Sequence, residues 1–249
     1  MPSPKRVVRI AHAYGNSRPS LARALAADCD MIEADIWYRG GDIFIHHEQR
    51  LGPLPILYDR DLRGHALGPF AVHLGRYFVR PDIRTLRLDE LLSTVAGRKR
   101  LLLDVKGHYD APTLEGYIDT LVRRIRAAHA ESWVAICGQT YSSLHPLREV
   151  APDIEVRYSI EQPYQWERFL ILLDHGARQV CMAYGFLDPA KARLMEERGV
   201  DVYCWTVDDW DAARRLVSDG VDGIISNDLG LLAQLHGWGG NLTPDQVHR

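Results

Sequence analysis

The chain has 249 residues, of which 46% are hydrophobic and 25% charged, and its formal net charge at pH 7 is -3. These proportions are typical of a globular protein with a sizeable core, and the mildly acidic charge gives no reason to expect nucleic acid as a partner. Because no apolar run approaches the roughly 20 residues of a transmembrane segment and the first apolar stretch is too short for a secretory signal, the sequence predicts a cytoplasmic protein.

Eight short apolar runs are typical of buried strands, and helical patterns lie between them. Residues 19–28, 113–130 and 188–199 are examples of the predicted helices, with proline near a start or glycine at an end. This alternation predicts a (β/α)8 TIM barrel in a single domain, residues 1–249, with a doubly wound open sheet as the alternative. The predicted strands are residues 7–11, 31–37, 101–105, 133–137, 154–160, 179–184, 201–207 and 223–226.

One region interrupts the alternation after the second strand. The segment "YRGGDIFIHHE" predicts a hairpin, and residues 48–87 are then rich in Pro, Gly and Arg. Loops at the C-terminal ends of barrel strands lie on the face that carries active sites. We therefore interpret residues 48–87 as an irregular, lid-like insert that contacts substrate, with a purely structural surface loop as the alternative. Residues 236–249 lack a helical period and predict a frayed tail.

Carboxylates occur in two of the predicted strands. Glu33 and Asp35 in "MIEADIW" are two residues apart, so both side chains leave the same face of the strand. Asp104 in "LLLDVKG" ends the third strand. A single acid is more often a helix cap or an ion-pair partner, but paired acids in a barrel interior are costly to bury unless a cation lies between them. Oxygen ligands without sulfur favour one divalent cation, Mg2+ or Ca2+.

Histidines end two other predicted strands. His12 follows the first strand, and "IFIHHE" supplies His46 and His47. Adjacent strand residues face opposite ways, so at most one of the latter pair should enter a site. A lone histidine at a strand end is usually a hydrogen-bonded structural residue, but two beside a bound metal could exchange protons at neutral pH.

These residues give the sequence a resemblance to the glycerophosphodiester phosphodiesterase family. The family pattern H-R-G, E-x-D, histidine followed by an acid, E-x-K, W-T-V and G-V-D-G-I-I-T-D corresponds here to "HAYG", "EAD", "HHE", "DVK", "CWTVDD" and "GVDGIISND". Each match is weak alone, but the ordered set is specific and runs to about residue 232. The resemblance implies a (β/α)8 barrel, a divalent metal and two catalytic histidines, acting on a glycerophosphodiester or lysophospholipid.

Roles follow from the resemblance position by position. His12 and His47 are expected to be the acid/base pair, with His47 preferred over His46 because "HEQRL" keeps the family spacing. Lys106 would offset the phosphate charge, although an ion pair with the nearby acids is an alternative; Trp205 would form an apolar wall, although it could be an ordinary core aromatic. Glu33, Asp35 and Asp104 are the expected metal ligands.

Two departures from the family pattern bear on the function. The arginine that follows the first histidine in the family is Ala13 here, and the glutamate of E-x-K is Asp104. Both features resemble the related sphingomyelinase D and lysophospholipase D branch, in which the substrate's own hydroxyl attacks and leaves a cyclic phosphate. Phosphate binding would then depend on the metal, Lys106 and Arg18 or an arginine of the insert. A catalytically silent barrel that binds a phosphorylated ligand is a further alternative.

Overall fold

The computed structural model of the chain describes residues 6–47, 56–58, 71–81 and 84–236. Within this part, eight strands of parallel pairing alternate with helices along the chain, which confirms the predicted (β/α)8 fold class. The chain divides into two compact units, and each is described by itself below. The prediction of a single domain over residues 1–249 stays a prediction.

The larger unit comprises residues 12–26 and 31–158. Its parallel strands are β2 (Met31–Arg39), β8 (Arg100–Val105), β9 (Val134–Gly138) and β10 (Glu155–Ile160), the last of which ends just beyond the unit. The helices that cover them are α1 (Arg18–Ala26), α2 (Leu88–Val95), α3 (Ala111–Ala127) and α4 (Tyr141–Val150). Asp110 caps the first turn of α3 by accepting a hydrogen bond from the Thr113 N–H, as expected for an aspartate at this position.

The smaller unit comprises residues 1–11, 27–30 and 159–249. Its strands are β1 (Val8–Ala11), β11 (Gln179–Ala183), β12 (Asp201–Trp205) and β13 (Gly223–Ser226), which pair in parallel in the order β1-β13-β12-β11. The helices are α5 (Pro163–Asp174), α6 (Pro189–Glu197), α7 (Trp210–Ser218) and α8 (Leu229–Leu235). The predicted tail, apart from His236, lies outside the described residues.

The predicted hairpin after the second barrel strand is present. Strand β3 (Asp42–Ile45) pairs antiparallel with the end of β2, and β7 (Leu86–Arg87) adds to its other side. The two-residue turn has φ of 59° at Gly40 and 79° at Gly41, the left-handed conformation that glycine adopts without strain.

The insert is more regular than its composition indicates where it is described. Strands β4 (Ile56–Tyr58), β5 (Val72–Leu74) and β6 (Tyr77–Val79) form a three-stranded antiparallel sheet in the order β4-β6-β5. Short alternating strands were obscured in the sequence by the Pro, Gly and Arg residues around them. Residues 48–55, 59–70 and 82–83 of the insert lie outside the described part, and its lid-like role stays a prediction. None of the described helices combines the length and the apolar character of a membrane span.

Candidate functional site

A tight turn after β1 brings His12 beside strand β2. Residues Tyr14–Asn16 form one turn of 3-10 helix, preceded by Ala13 at φ 60°. A Cβ atom on Gly15 would lie 2.5 Å from the Ala34 Cβ, so any larger residue would push the turn away from β2. Glycine is therefore required here for the close approach of the two backbones.

Three carboxylates, here called the acid cluster (Glu33, Asp35 and Asp104), converge within the larger unit. Glu33 and Asp35 are 3% and 1% exposed, and Asp35 lies in register with Asp104 on the neighbouring strand β8. One carboxylate oxygen from each residue lies within 4.8 Å of the others. The alternation of β2 and the parallel register with β8 therefore place all three acids on one face of the sheet, as predicted.

Lys106 places its ammonium group among these acids. Its Nζ atom lies 2.5 Å from Asp104 Oδ2 and 3.0 Å from Asp35 Oδ1. Burial opposes the charged form of the lysine, but attraction to the acid cluster outweighs it and raises the pKa of Lys106 well above its usual value. The ion pair between Lys106 and the acids that the sequence left open is thus present, and it is compatible with a role toward phosphate.

The single ammonium does not compensate the acid cluster. Burial, together with repulsion from Asp35 and Asp104, raises the pKa of Glu33 well above its usual value. Burial also raises the pKa of Asp104, despite the nearby Lys106. Asp35 differs because the charge of Lys106, followed by that of His47, outweighs its burial and lowers its pKa to about 2. Two buried carboxylates and the half-buried Asp104 around one ammonium leave excess negative charge that a cation would stabilise.

The donor set fits a divalent cation. The Asp104 Oδ1 atom is buried and makes no hydrogen bond to any described residue, which is unusual for a carboxylate oxygen in a protein interior. Oxygen ligands of Mg2+ or Ca2+ lie roughly 2.0–2.6 Å from the ion, so two of them can be at most about 5 Å apart. The spread of 4.8 Å among the three oxygens falls within this limit. The acid cluster could therefore hold one such ion.

The structure separates the two adjacent histidines. The His46 ring is stacked on the Trp37 indole, with ring centroids 5.7 Å apart, and the residue is 3% exposed. The charge of His47, in contrast, favours the ionised forms of both Asp35 and Asp104, although the pKa of Asp104 stays raised by its burial. His12 also lies close to the acid cluster, with Nε2 3.9 Å from Glu33 Oε2. His12 and His47 are thus the histidines brought to the acid cluster.

Two further predicted site residues lie differently. Arg18 pairs with Glu90 of α2 at 3.0 Å, and its side chain is 58% exposed. Because its guanidinium is paired with Glu90, Arg18 would have to exchange partners to bind phosphate. Trp205 ends β12 in the smaller unit, where its indole N–H is buried and makes no hydrogen bond to any described residue. Its role as a substrate wall stays a prediction.

Asn16 was not singled out from the sequence, yet it makes two contacts with Asp35. Its Nδ2 atom donates to Asp35 Oδ2 at 2.5 Å, and its Oδ1 atom accepts from the Asp35 N–H at 2.9 Å. In the same turn, the Ala13 N–H donates to Glu33 Oε2 at 2.5 Å. A polar amide after a glycine at a strand end was the only available signal, because the partner lies 19 residues away.

Comparison with known proteins shows which proteins this chain is similar to. The sequence pattern of the "Glycerophosphoryl diester phosphodiesterase family" matches residues 166–231. A glycerophosphodiester phosphodiesterase of Arabidopsis thaliana is 25% identical over 87% of this chain and 67% of its own length. A glycerophosphodiester phosphodiesterase of Caldanaerobacter subterraneus subsp. tengcongensis is 24% identical, over 90% of this chain and 93% of its own.

Solved structures show the same fold. A Silicibacter pomeroyi protein assigned as a glycerophosphoryl diester phosphodiesterase has a TM-score of 0.75 and 22% identity, with 98% of this chain and 97% of the other covered. An Oleispira antarctica phosphodiesterase, solved in complex with the product sn-glycerol-3-phosphate, has a TM-score of 0.66 and 17% identity over 91% of this chain and 95% of its own. These likenesses show the fold, and the sequence matches described above confirm the family resemblance.

Proposed function

We propose that this relative of the glycerophosphodiester phosphodiesterases is a metal-dependent phosphoric diester hydrolase that cleaves glycerophosphodiesters to an alcohol and a glycerol phosphate. The acid cluster of Glu33, Asp35 and Asp104 would hold one divalent cation, Mg2+ or Ca2+, and His12 and His47 would act as the acid/base pair. Substrate would be contacted by Lys106, Trp205 and Arg18. The support comes from the geometry of the larger unit and from the relatives described above.

The observation that carries the proposal is the uncompensated charge of the acid cluster beside two histidines. An ion-pair network built for stability would satisfy all of its carboxylate oxygens, whereas Asp104 Oδ1 is buried and makes no hydrogen bond to any described residue. Perturbed acids grouped with histidines are typical of catalytic sites. The cation, when bound, would polarise a phosphoryl oxygen and offset the charge that develops there.

The residues of the chain supply proton transfer and orientation. One histidine would take a proton from the attacking water or hydroxyl as the new P–O bond forms. The other would give a proton to the departing alcohol oxygen as the old P–O bond breaks. The ammonium of Lys106, 28% exposed at its side chain, can reach both the acids and a phosphate above them. It would take over part of the charge neutralisation that arginine supplies in the family.

A second candidate is headgroup release from a lysophospholipid or sphingomyelin, with a cyclic phosphate product. Two observations favour it: Ala13 stands where the family has arginine, and Asp104 stands where it has glutamate. The Ala13 backbone N–H donates a hydrogen bond to Glu33 Oε2, and Ala13 is 1% exposed. A catalytically silent barrel that binds a phosphorylated ligand is the third candidate. The presence of all three acids and both histidines argues against it.

Phosphorus NMR of reaction products separates the three candidates. The protein is incubated with glycerophosphocholine, glycerophosphoethanolamine and lysophosphatidylcholine in the presence of Mg2+, Ca2+ or Mn2+, with and without EDTA. We expect glycerol 3-phosphate from the first two substrates and no turnover with EDTA, restored when metal is added back. A cyclic phosphate resonance from the lysophospholipid alone would favour the second candidate. Binding of substrate without any product under all metals would favour the third.

A further inference from the structure

The turn that carries His12 also contacts both acids of strand β2 through neutral donors. The Ala13 N–H is 2.5 Å from Glu33 Oε2, and the Asn16 Nδ2 is 2.5 Å from Asp35 Oδ2. The other Asp35 oxygen, Oδ1, faces Lys106 at 3.0 Å. Both oxygens of Asp35 therefore have a defined partner, and one partner of each kind: a cation and a neutral amide.

The Asn16 amide is itself anchored to the strand. Its Oδ1 atom accepts the Asp35 backbone N–H at 2.9 Å, and the residue is 2% exposed. Because this second contact is to backbone, the Nδ2 donor keeps its place even when the Asp35 carboxylate rotates. The Asn16 side chain thus favours one orientation of the Asp35 carboxylate, and rotation away from that orientation costs free energy.

A neutral donor suits a metal ligand better than a charged one. Lysine or arginine at this place would compete with a cation for the Asp35 charge, whereas an amide orients the carboxylate without adding positive charge. Partners of this kind behind a metal ligand typically change metal affinity by about 10- to 100-fold when removed.

We propose that Asn16 is a positioning residue that fixes the Asp35 carboxylate for a divalent cation; this rests on the proposed function of the acid cluster. Asn16 acts through Asp35 and has no contact with the reacting atoms. Its removal lowers the affinity for the cation, and turnover falls only as far as the cation is lost.

The test measures Mn2+ binding to the full chain by titration calorimetry, for wild type, Asn16→Ala and Ser20→Ala. Ser20 is a matched control because it is also 2% exposed in the same segment and its hydroxyl accepts a hydrogen bond from the Ser17 hydroxyl at 2.9 Å. We expect Mn2+ affinity to fall about 10-fold or more in Asn16→Ala and to stay at the wild-type value in Ser20→Ala. The paramagnetic resonance spectrum of bound Mn2+ should change in Asn16→Ala alone, and saturating Mn2+ should restore most of its turnover.

Each outcome of this test either supports or overturns the positioning role of Asn16. Equal Mn2+ affinity in Asn16→Ala and wild type, or an equal loss in Ser20→Ala, overturns the positioning role while the proposed function stands. Turnover that stays low in saturated Asn16→Ala also overturns it, because Asn16 would then act on the reaction itself. Absence of Mn2+, Mg2+ and Ca2+ binding in wild type overturns the proposed function and this inference together. Should Asn16→Ala fail to fold, Asn16→Ser, which keeps a hydroxyl at the site, carries the same expectation.

Discussion

Two groups of charged side chains in this protein differ in how fully their acids are paired with cations. In the smaller unit, the Arg9 side chain is 2% exposed and lies between Asp28 and Asp30. Its guanidinium donates to both oxygens of Asp30, from Nε at 2.8 Å and from NH2 at 2.9 Å, and Arg6 adds a further contact at 2.6 Å. We call Arg6, Arg9, Asp28 and Asp30 the arginine cluster.

The difference lies in how completely each charge is matched. The arginine cluster sets two cations against two acids, and the planar guanidinium satisfies a carboxylate through parallel hydrogen bonds. The acid cluster sets three acids against the one ammonium of Lys106, and Asp104 Oδ1 makes no hydrogen bond to any described residue. Matched charge is consistent with stabilising the fold, whereas the excess negative charge of the acid cluster is consistent with the proposed cation site.

The largest expected effect is on kcat, and it distinguishes the histidines beside the acid cluster from the histidine beside the arginine cluster. Replacing His12 or His47 by Ala should lower kcat by about 10² to 10⁴, the usual contribution of positioned acid/base catalysis. His236 is the counterpart beside the arginine cluster, where its Nδ1 lies 2.8 Å from Asp28 Oδ2. His236→Ala should leave kcat unchanged. Steady-state kinetics on a glycerophosphodiester measure both. His46→Ala should cost far less than His47→Ala; the reverse order would show that the catalytic histidine was assigned to the wrong position.

Neutralising one acid in each cluster should have different consequences. The change in the arginine cluster should lower stability, and the change in the acid cluster should lower metal binding and activity. Asp30→Asn should lower the free energy of unfolding by about 3 kcal/mol, because it leaves the buried Arg9 charge with a weaker partner, while kcat stays near wild type. Asp35→Asn should weaken metal binding and activity together. Its loss of stability in the metal-free protein should be smaller than that of Asp30→Asn, because the change also removes the repulsion from Asp35 that raises the pKa of Glu33. Urea unfolding and calorimetry on the same preparations give the comparison. A strongly destabilised Asp35→Asn with intact metal binding would contradict the contrast between the clusters.

The arginine cluster should also show in the acid sensitivity of the fold. Although burial opposes it, hydrogen bonding to Arg9 lowers the pKa of Asp30 below its usual value. A carboxyl group with a lowered folded-state pKa contributes stability above its unfolded pKa of about 3.9, and this contribution is lost as pH falls toward the folded pKa. Between pH 7 and pH 3, wild type should therefore lose more stability than Asp30→Asn, as measured by urea unfolding at each pH. Parallel losses in the two proteins would exclude this role of Asp30.

The smallest expected effect concerns the insert. On strand β5, Val72 and Leu74 are 55% and 50% exposed, and strand β6 brings the Tyr77 ring within 6.2 Å of the His47 ring. If these apolar residues contact a lipid chain, the double substitution Val72→Ser and Leu74→Ser should raise KM several-fold for a lysophospholipid and leave glycerophosphocholine unaffected. The melting temperature should change little because both side chains are exposed. An equal rise in KM on both substrates would exclude selective contact with the chain.

The sequence by itself determined the order of the elements and the face on which the acids lie. Period-2 alternation in "MIEADIW" puts Glu33 and Asp35 on one side of β2 because backbone geometry imposes it locally. Helical and strand periods likewise gave the (β/α)8 fold class, and the ordered motifs gave the resemblance to the family. The strands in the insert escaped detection because runs of three residues carry too little periodicity.

Only the tertiary structure decided which polar partners meet. The register that sets Asp35 opposite Asp104, the two contacts of Asn16 with Asp35, and the pairing of Arg18 with Glu90 across 72 residues all join segments that are distant in the chain. Side chains choose among rotamers according to the neighbours that packing supplies, and no local pattern records those neighbours. The sequence could therefore name the metal ligands as candidates, but the folded chain was needed to show what orients them.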